Sequence, residues 1–244
     1  MSYLKLNAHE ARRIYAIGDI HGRMDLLEKV ARSIAADVEA HGGEGALVIT
    51  LGDVVDRGPH SRAVLDFLSG PRPFAVPYVG LLGNHEQMLL GFLDQPRENS
   101  NWCKHGGHET LRSYGIATTQ TMLGRGYDTA AETLSWAMPP HHLDYLKSLR
   151  LGVMTERFFF CHAGVKPGVA LDEQRVEDLL WIREEFLNSA EDFGRYVVHG
   201  HTVVPAVDIR PNRINIDTGA YDSGQLTCLV VEDADMFLLT SPET

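Results

Sequence analysis

Short apolar runs of four or five residues recur along the chain, and several stop abruptly at Gly-Asp, Gly-Asn or His. Ile14-Tyr15-Ala16-Ile17-Gly18 runs into Asp19-Ile20-His21-Gly22. Leu47-Val48-Ile49-Thr50-Leu51-Gly52 runs into Asp53-Val54-Val55-Asp56-Arg57-Gly58, and Tyr78-Val79-Gly80-Leu81-Leu82 into Gly83-Asn84-His85-Glu86. Runs of this length without polar alternation predict strands buried on both faces. Between the first two, Leu26, Leu27, Val30, Ile34 and Val38 recur at helical spacing, and Gly42-Gly43 closes the helix. Residues 14–52 therefore read as one βαβ unit. A shorter helix with Val64, Phe67 and Leu68 turned inward stops at Gly70, and Pro71, Pro73 and Pro77 stiffen the connection that follows. Glu86 to Leu93 continues as a helix. In the first strand tip, Asp19 and His21 alternate, which on an extended backbone points both the same way.

Residues 95–150 have no strand pattern and hold Trp102, Trp136 and Pro139-Pro140. They read as a mostly helical insertion over the site, with His105-Gly106-Gly107-His108, Tyr127 and His141-His142 as packing within it. Strands return with Phe158-Phe159-Phe160-Cys161 before His162-Ala163-Gly164, and Val176 to Trp181 is helical, followed by Ile182-Arg183. Tyr196-Val197-Val198 leads to His199-Gly200-His201-Thr202, and Ile214-Asn215-Ile216 to Asp217-Thr218-Gly219. Leu226–Val231 and Met236–Leu239 form a hairpin around Asp233-Ala234-Asp235, a turn without functional weight. The expectation is an α/β chain of one domain, 1–244, with a cap insertion over about 95–150.

Composition narrows the function. A net charge of −11 on 244 residues argues against a broad basic face for a nucleic-acid polymer, yet leaves room for a small phosphorylated substrate in a locally cationic site. Three widely spaced cysteines, Cys103, Cys161 and Cys228, imply no disulfide framework. The first residues lack a signal-peptide pattern and no run is long and apolar enough to span a membrane, so a reducing cytoplasm is the expected setting.

The polar residues at the strand tips are Asp19, His21, Asp53, Asn84, His162 and His201. These oxygen and nitrogen donors, without a thiolate, suit manganese, iron, zinc or nickel. Six ligands are too many for one open catalytic metal but suit two sharing a carboxylate, with Asp53 on the central strand as the bridge. In two-metal hydrolases such a pair, about 3.5–4 Å apart, clamps an in-line displacement at phosphorus. Taken singly, each feature also reads as an ordinary turn Asp-Gly, a turn histidine (His21, His201) or a satisfied core histidine (His162). Their recurrence favours the metal reading.

The motifs Gly18-Asp19-Ile20-His21-Gly22, Gly52-Asp53-Val54-Val55-Asp56-Arg57-Gly58 and Gly83-Asn84-His85-Glu86 resemble, in order and spacing, the GDxHG, GDxxDRG and GNHE signatures of the phosphoprotein phosphatase family. Cys161-His162-Ala163-Gly164 and Gly200-His201-Thr202 resemble its two later histidine motifs. Trp181-Ile182-Arg183 and Ile216-Asp217-Thr218-Gly219-Ala220 are similar to the compact bacterial and phage branch typified by lambda phage phosphatase. The resemblance implies a four-layer α/β/β/α sandwich of the calcineurin-like metallophosphoesterase type. It implies one metal on Asp19, His21 and Asp53 and another on Asp53, Asn84, His162 and His201, with manganese the first expectation. A hydroxide between them would attack phosphorus directly, without a phosphoenzyme. His85 would protonate the leaving oxygen with Asp56 orienting it, and Arg57 and Arg183 would hold the phosphoryl oxygens.

The implied activity is phosphomonoester hydrolysis, as of a Ser/Thr protein phosphatase acting on phosphorylated proteins, peptides or small phosphoesters. The alternative is a symmetrical bis(5'-nucleosyl)-tetraphosphatase, a group that tends to lack the acid at Asp56 and to carry Asp where Glu86 stands. A catalytically dead phosphate-binding module is disfavoured by the intact ligand set and His85. Tyr221 stands where some relatives line the site with an aromatic, His199 reads as a neighbour of the site, and Cys161 as a buried, inert thiol. One departure is His105-Gly106-Gly107, where bacterial relatives often carry Asn-Gly-Gly.

Overall fold

Every residue of Arg13–Ile17 and Ala46–Thr50 is buried, which is why neither stretch shows polar alternation. The computed structural model describes residues 3–7, 12–232 and 235–239. In chain order, β1 (Tyr3–Lys5), β2 (Arg13–Ile17), α1 (Met24–His41), β3 (Ala46–Thr50), α2 (Ser61–Leu68), β4 (Tyr78–Gly80) and α3 (Asn84–Asp94) come first. A π-helical turn at Cys103–Gly107 leads into α4 (His108–Ser113), α5 (Thr119–Met122), α6 (Tyr127–Ala137) and α7 (Pro140–Ser148). Then follow β5 (Gly152–Met154), β6 (Phe158–Phe160), α8 (Val176–Trp181), α9 (Glu184–Leu187), β7 (Tyr196–His199), β8 (Asp208–Ile209), β9 (Arg213–Asn215), α10 (Ala220–Ser223), β10 (Cys228–Glu232) and β11 (Asp235–Leu238).

The strands form two sheets, of order β1-β5-β6-β7-β9-β8 and β11-β10-β2-β3-β4. β2, β3 and β4 are parallel, with Ile14 beside Leu47 and Ile49 beside Val79. β6, β7 and β9 are also parallel, with Phe160 beside Val198 and Val198 beside Ile214. Side chains alternate faces along a strand, and here the alternation separates two cores. Ile14, Ala16, Leu47, Ile49, Phe158, Phe160, Val198, Ile214, Leu229 and Val231 pack together between the sheets. Their neighbours Tyr15, Ile17, Val48, Phe159, Val197, Cys228 and Val230 join a separate core with Leu27, Val30 and Ile34 of α1, Leu179 and Leu180 of α8, and Phe186 of α9. Helices thus cover the outer faces of two stacked sheets, the layering the motif resemblance implied.

The βαβ unit, the stop at Gly42 and the helix Val176–Trp181 match the sequence pattern. The segment 95–150 contains helices and, among the described residues, no strand of two or more residues. Trp102 of this segment is buried, whereas Trp136 is 85% exposed. β1, β5 and β8 have only two or three residues each, too few for a periodic signal. Helix α3 starts at Asn84 rather than Glu86, because the Glu86 carboxylate turns back to accept the Gly83 N–H at 2.9 Å, the Glu half of a capping box whose N-cap is a glycine without a side chain. The hairpin is the antiparallel pair β10–β11, while Asp233 and Ala234 lie outside the described residues. The three cysteines are buried and free, and burial pushes the Cys103 thiol up to about 12. No described helix is long and apolar enough to cross a membrane.

Phe160 sits wholly buried between the sheets. Phe160→Ala should lower unfolding free energy by about 3–5 kcal/mol, read as a fall in the urea midpoint at constant m-value.

Candidate metal centre

Parallel strands put their carboxyl ends on one edge, where an α/β sheet binds ligands. Asp19, Asp53 and Asn84 follow β2, β3 and β4 in one sheet, and His162, His201 and Asp217 follow β6, β7 and β9 in the other. Asp53 lies at the meeting point. Its Oδ2 is 3.5 Å from His21 Nε2 and 3.8 Å from His85 Nε2, and its Oδ1 is 3.4 Å from His162 Nε2. Asn84 Oδ1 is 2.9 Å from both His162 Nε2 and His201 Nδ1. The ligand atoms of His21, Asp53 and His85 lie within 4.8 Å of one another, as do those of Asp53, His162 and His201. Asp19 belongs to neither trio; it joins the cluster by accepting the His201 N–H at 3.1 Å.

The backbone is forced into place around this point. Among the described residues, the non-glycine residues with positive φ are His21, Asp53, Asp56, Arg57 and His201. L-residues reach that region at a cost, and such strain collects where a site is built. His21, with φ 45°, therefore stands on a turn and not on the extended backbone the alternation suggested. A Cβ on Gly83 would collide with Asp53, and one on Gly200 with the Asp19 carboxylate, so both strand tips pass too close for a side chain. Glu86 ties the tips together. Its Oε2 accepts the N–H groups of Asp53 and Gly83, at 2.8 and 2.9 Å, and its Oε1 those of Val54 and Val55, at 2.8 and 3.2 Å.

The imidazoles are aimed by their second nitrogens. His21 Nδ1 is 2.8 Å from the Val55 carbonyl and His162 Nδ1 is 2.8 Å from that of Leu51. A carbonyl only accepts, so Nδ1 carries the proton and Nε2 presents a lone pair inward. Burial pushes His21 down to about 3 and His201 to about 2, keeping both neutral. Burial alone would raise Asp53, but His162, His85, His21 and His201 around it hold it well below the usual carboxylate range. Asp19 moves the other way, raised by burial and by the charges of Asp217 and Asp53. Burial also lifts Asp217 to about 6 and, with Asp53, Glu86 to about 7.

Two polar atoms at the centre, Asp19 Oδ1 and His201 Nε2, are buried without a protein partner. Buried polar atoms are normally satisfied. Together with crowded carboxylates and neutral imidazoles, they are what a pocket for divalent cations requires, so the residues present fit such ions.

Beside the cluster, His85 Nδ1 is 2.8 Å from Asp56 Oδ2. Burial would lower His85, but Asp53 and Asp56 leave it raised. The Asp56 carboxylate also accepts the Trp102 indole N–H at 2.8 Å and the Thr110 hydroxyl at 2.6 Å. Arg57 Nη2 approaches His85 Nε2 at 3.3 Å, and its guanidinium lies 4.8 Å above the Tyr221 ring, which stands edge-on to His21 at 5.4 Å. Arg183 is exposed and donates to Thr202 Oγ1 at 2.9 Å and to the His201 carbonyl at 3.3 Å. His199 is apart from the cluster, buried edge-on against Phe186 at 5.0 Å and pushed down by burial to about 3. His105 bonds Asn101 at 2.9 Å, and its loop meets the site at Gly106, whose carbonyl accepts the Arg57 N–H at 3.2 Å.

Sequence reasoning missed Glu86, Asp217, Trp102 and Thr110. Glu86 stands three residues after Gly83, the spacing of a capping box, and Asp217 ends a strand as Asp19 and Asp53 do, so both had a signal. Trp102 and Thr110 had none, because they reach Asp56 only when the helical segment folds back on it.

Glu86→Gln offers one acceptor oxygen where the loop needs two. Two buried N–H groups lose their acceptor, and the folded state should weaken by about 2–4 kcal/mol, checked by denaturant titration.

Residues 12–208 match the sequence model of the calcineurin-like phosphoesterase family. The chain is 26% identical over 233 residues to serine/threonine-protein phosphatase 2 of Escherichia coli (strain K12), covering 92% of this chain and 95% of that protein. It is 24% identical over 239 residues to the asymmetrical bis(5'-nucleosyl)-tetraphosphatase PrpE of Bacillus thuringiensis (strain Al Hakam), covering 87% and 88%. Its fold matches the crystal structure of a candidate diadenosine tetraphosphatase with a TM-score of 0.67 at 20% identity, over 97% and 96% of the two chains. Two stacked sheets, imidazole and carboxylate clusters that could hold a pair of metals, and a family match across most of the chain lead to one conclusion: this protein belongs to the calcineurin-like phosphoesterase family.

Proposed function

We propose that the chain hydrolyses phosphomonoesters, with phosphoserine and phosphothreonine of proteins as its substrates, and that the whole of 1–244 acts as one catalytic domain capped by about 95–150. The observation that carries this reading is the shared position of the Asp53 carboxylate between imidazoles of both sheets, with the His85–Asp56 pair beside it. Asp19, His21 and Asp53 would hold one divalent ion and Asp53, Asn84, His162 and His201 the other, with manganese first and iron, zinc or nickel as options. Such ions supply Lewis acidity and bring the pKa of water toward neutrality.

The chain's own groups do the rest. Arg57 and Arg183 hold the phosphoryl oxygens, since a planar guanidinium can grip two at once. Tyr221 beneath Arg57 and Thr202 beside Arg183 limit where those guanidiniums can swing. His85 gives a proton from Nε2 to the departing oxygen. Asp56 takes the other N–H, fixing the ring and stabilising its protonated form. Trp102 and Thr110 hold that carboxylate still, so they act as positioning residues.

The presence of Asp56 and Glu86, and the likeness to a bacterial protein named a Ser/Thr phosphatase, favour the protein substrate. The likeness to a protein named a dinucleoside tetraphosphatase makes that substrate the second reading. Turnover with Mn²⁺ on p-nitrophenyl phosphate, a phosphothreonine peptide and diadenosine tetraphosphate separates the two. Preference for the first two substrates is expected; preference for the dinucleotide would replace the reading, and no turnover of any would end it. Metal analysis on the same preparation should find two equivalents under saturating Mn²⁺.

His85→Asn should keep its metal content and lose about 10²–10⁴ in kcat. Trp102→Phe should lose about tenfold on phenyl phosphate and little on p-nitrophenyl phosphate, whose leaving group needs no proton. Equal losses on both would reduce Trp102 to packing.

A further inference from the structure

Away from the Asp53 cluster, one more group of imidazole and carboxylate side chains converges among the described residues. Asp66 lies on α2, and His141 and His142 follow each other in the first turn of α7. Their ligand atoms all lie within 4.8 Å of one another. His142 Nε2 is 2.9 Å from Asp66 Oδ1, and His142 Nδ1 is 2.7 Å from the Tyr114 hydroxyl. The His142 side chain has no exposed surface, whereas that of Asp66 is 51% exposed. The exposed His141 stands edge-on to His142, with ring centroids 4.5 Å apart, and faces an open cleft beside Leu68 and Ser69.

Packing between helices explains a buried histidine, but not this orientation. Nε2 points outward to a solvent-reaching carboxylate while a buried hydroxyl anchors Nδ1. That is how proteins present an imidazole to a cation, with the second nitrogen held by an outer partner. The Tyr114 hydroxyl can donate or accept. The ring can therefore pass its proton from Nε2 to Nδ1 and keep the anchor when Nε2 takes up a metal. Arg62 Nε lies 3.9 Å from the other Asp66 oxygen, Oδ2, leaving Oδ1 turned to His142.

We propose that Asp66, His141 and His142 form a solvent-accessible transition-metal site between α2 and α7, separate from the catalytic cluster and completed by water. Two imidazoles and one carboxylate without a thiolate select zinc, nickel, cobalt or copper over magnesium and calcium. Three ligands, of which Asp66 and His141 are exposed and His142 is buried, with Arg62 offsetting the carboxylate, set a micromolar affinity rather than that of a closed structural site. A cation here pins α7 to α2. The first residue of α2, Ser61, accepts the Asp56 N–H at 3.0 Å, so the pinned helix is the one that backs the site.

The test compares the full-length protein with His141→Ala, whose exposed side chain is not needed to fold, and with Asp66→Asn. Each is dialysed against micromolar free zinc, then analysed for bound metal and for the zinc-dependent rise in Tm. Both variants should bind one zinc fewer per chain than the parent and lose most of that rise. All three share the Asp53 cluster, so the difference does not depend on how that cluster loads or on the proposed activity. Equal zinc content in parent and variants overturns the site. So does an equal loss in His41→Ala, an exposed histidine elsewhere, since that shows unspecific uptake.

Discussion

Five carboxylates, Asp19, Asp53, Asp56, Glu86 and Asp217, are buried at one edge of the two sheets. Removing a charge from water is expensive unless it is paired and hydrogen-bonded, and this constraint organises the molecule. Glu86 is met by four backbone N–H groups, so its charge is spread into the loops that carry Asp53 and Gly83. Asp53 is met by imidazoles from both sheets. Asp19 keeps an oxygen that no protein group answers. The pocket is complete as a protein fold only up to that point, and the remaining demand is for positive charge.

The same demand explains where the backbone is strained. Positive φ at His21, Asp53, Asp56, Arg57 and His201 would be hard to sustain on a loose loop. Here the strained tips grow from strands buried on both sides, and the inter-sheet core fixes their ends. The rigid part of the molecule holds the unfavourable part in place. Side chains from distant stretches can then meet with little freedom left to lose.

The helical segment between α3 and β5 adds a second layer of control. Trp102 and Thr110 grip Asp56 from this segment, and the Gly106 carbonyl takes the Arg57 N–H. In the proposed mechanism, Asp56 sets the tautomer of His85 and Arg57 meets the phosphoryl group. A change in the segment would therefore reach the chemistry without touching a metal ligand. His105, the departure from the bacterial pattern, lies in that same segment but points to Asn101.

The sequence by itself determined the alternation of strands and helices, the stops at glycine and the residues at the strand tips. Each is a local matter of apolar period and turn chemistry. It placed Asp19, His21, Asp53, Asn84, His162 and His201 at chain positions that the fold brings to one edge. The tertiary structure decided which of them touch. It set Asp53 between the sheets, left Asp19 outside both close trios, turned the backbone at His21 and started α3 two residues early. It also recruited Glu86, Asp217, Trp102 and Thr110, and joined Asp66 to His142 across 76 positions. Such contacts depend on how whole sheets and helices stack, and no periodicity within a single stretch encodes the distance to another.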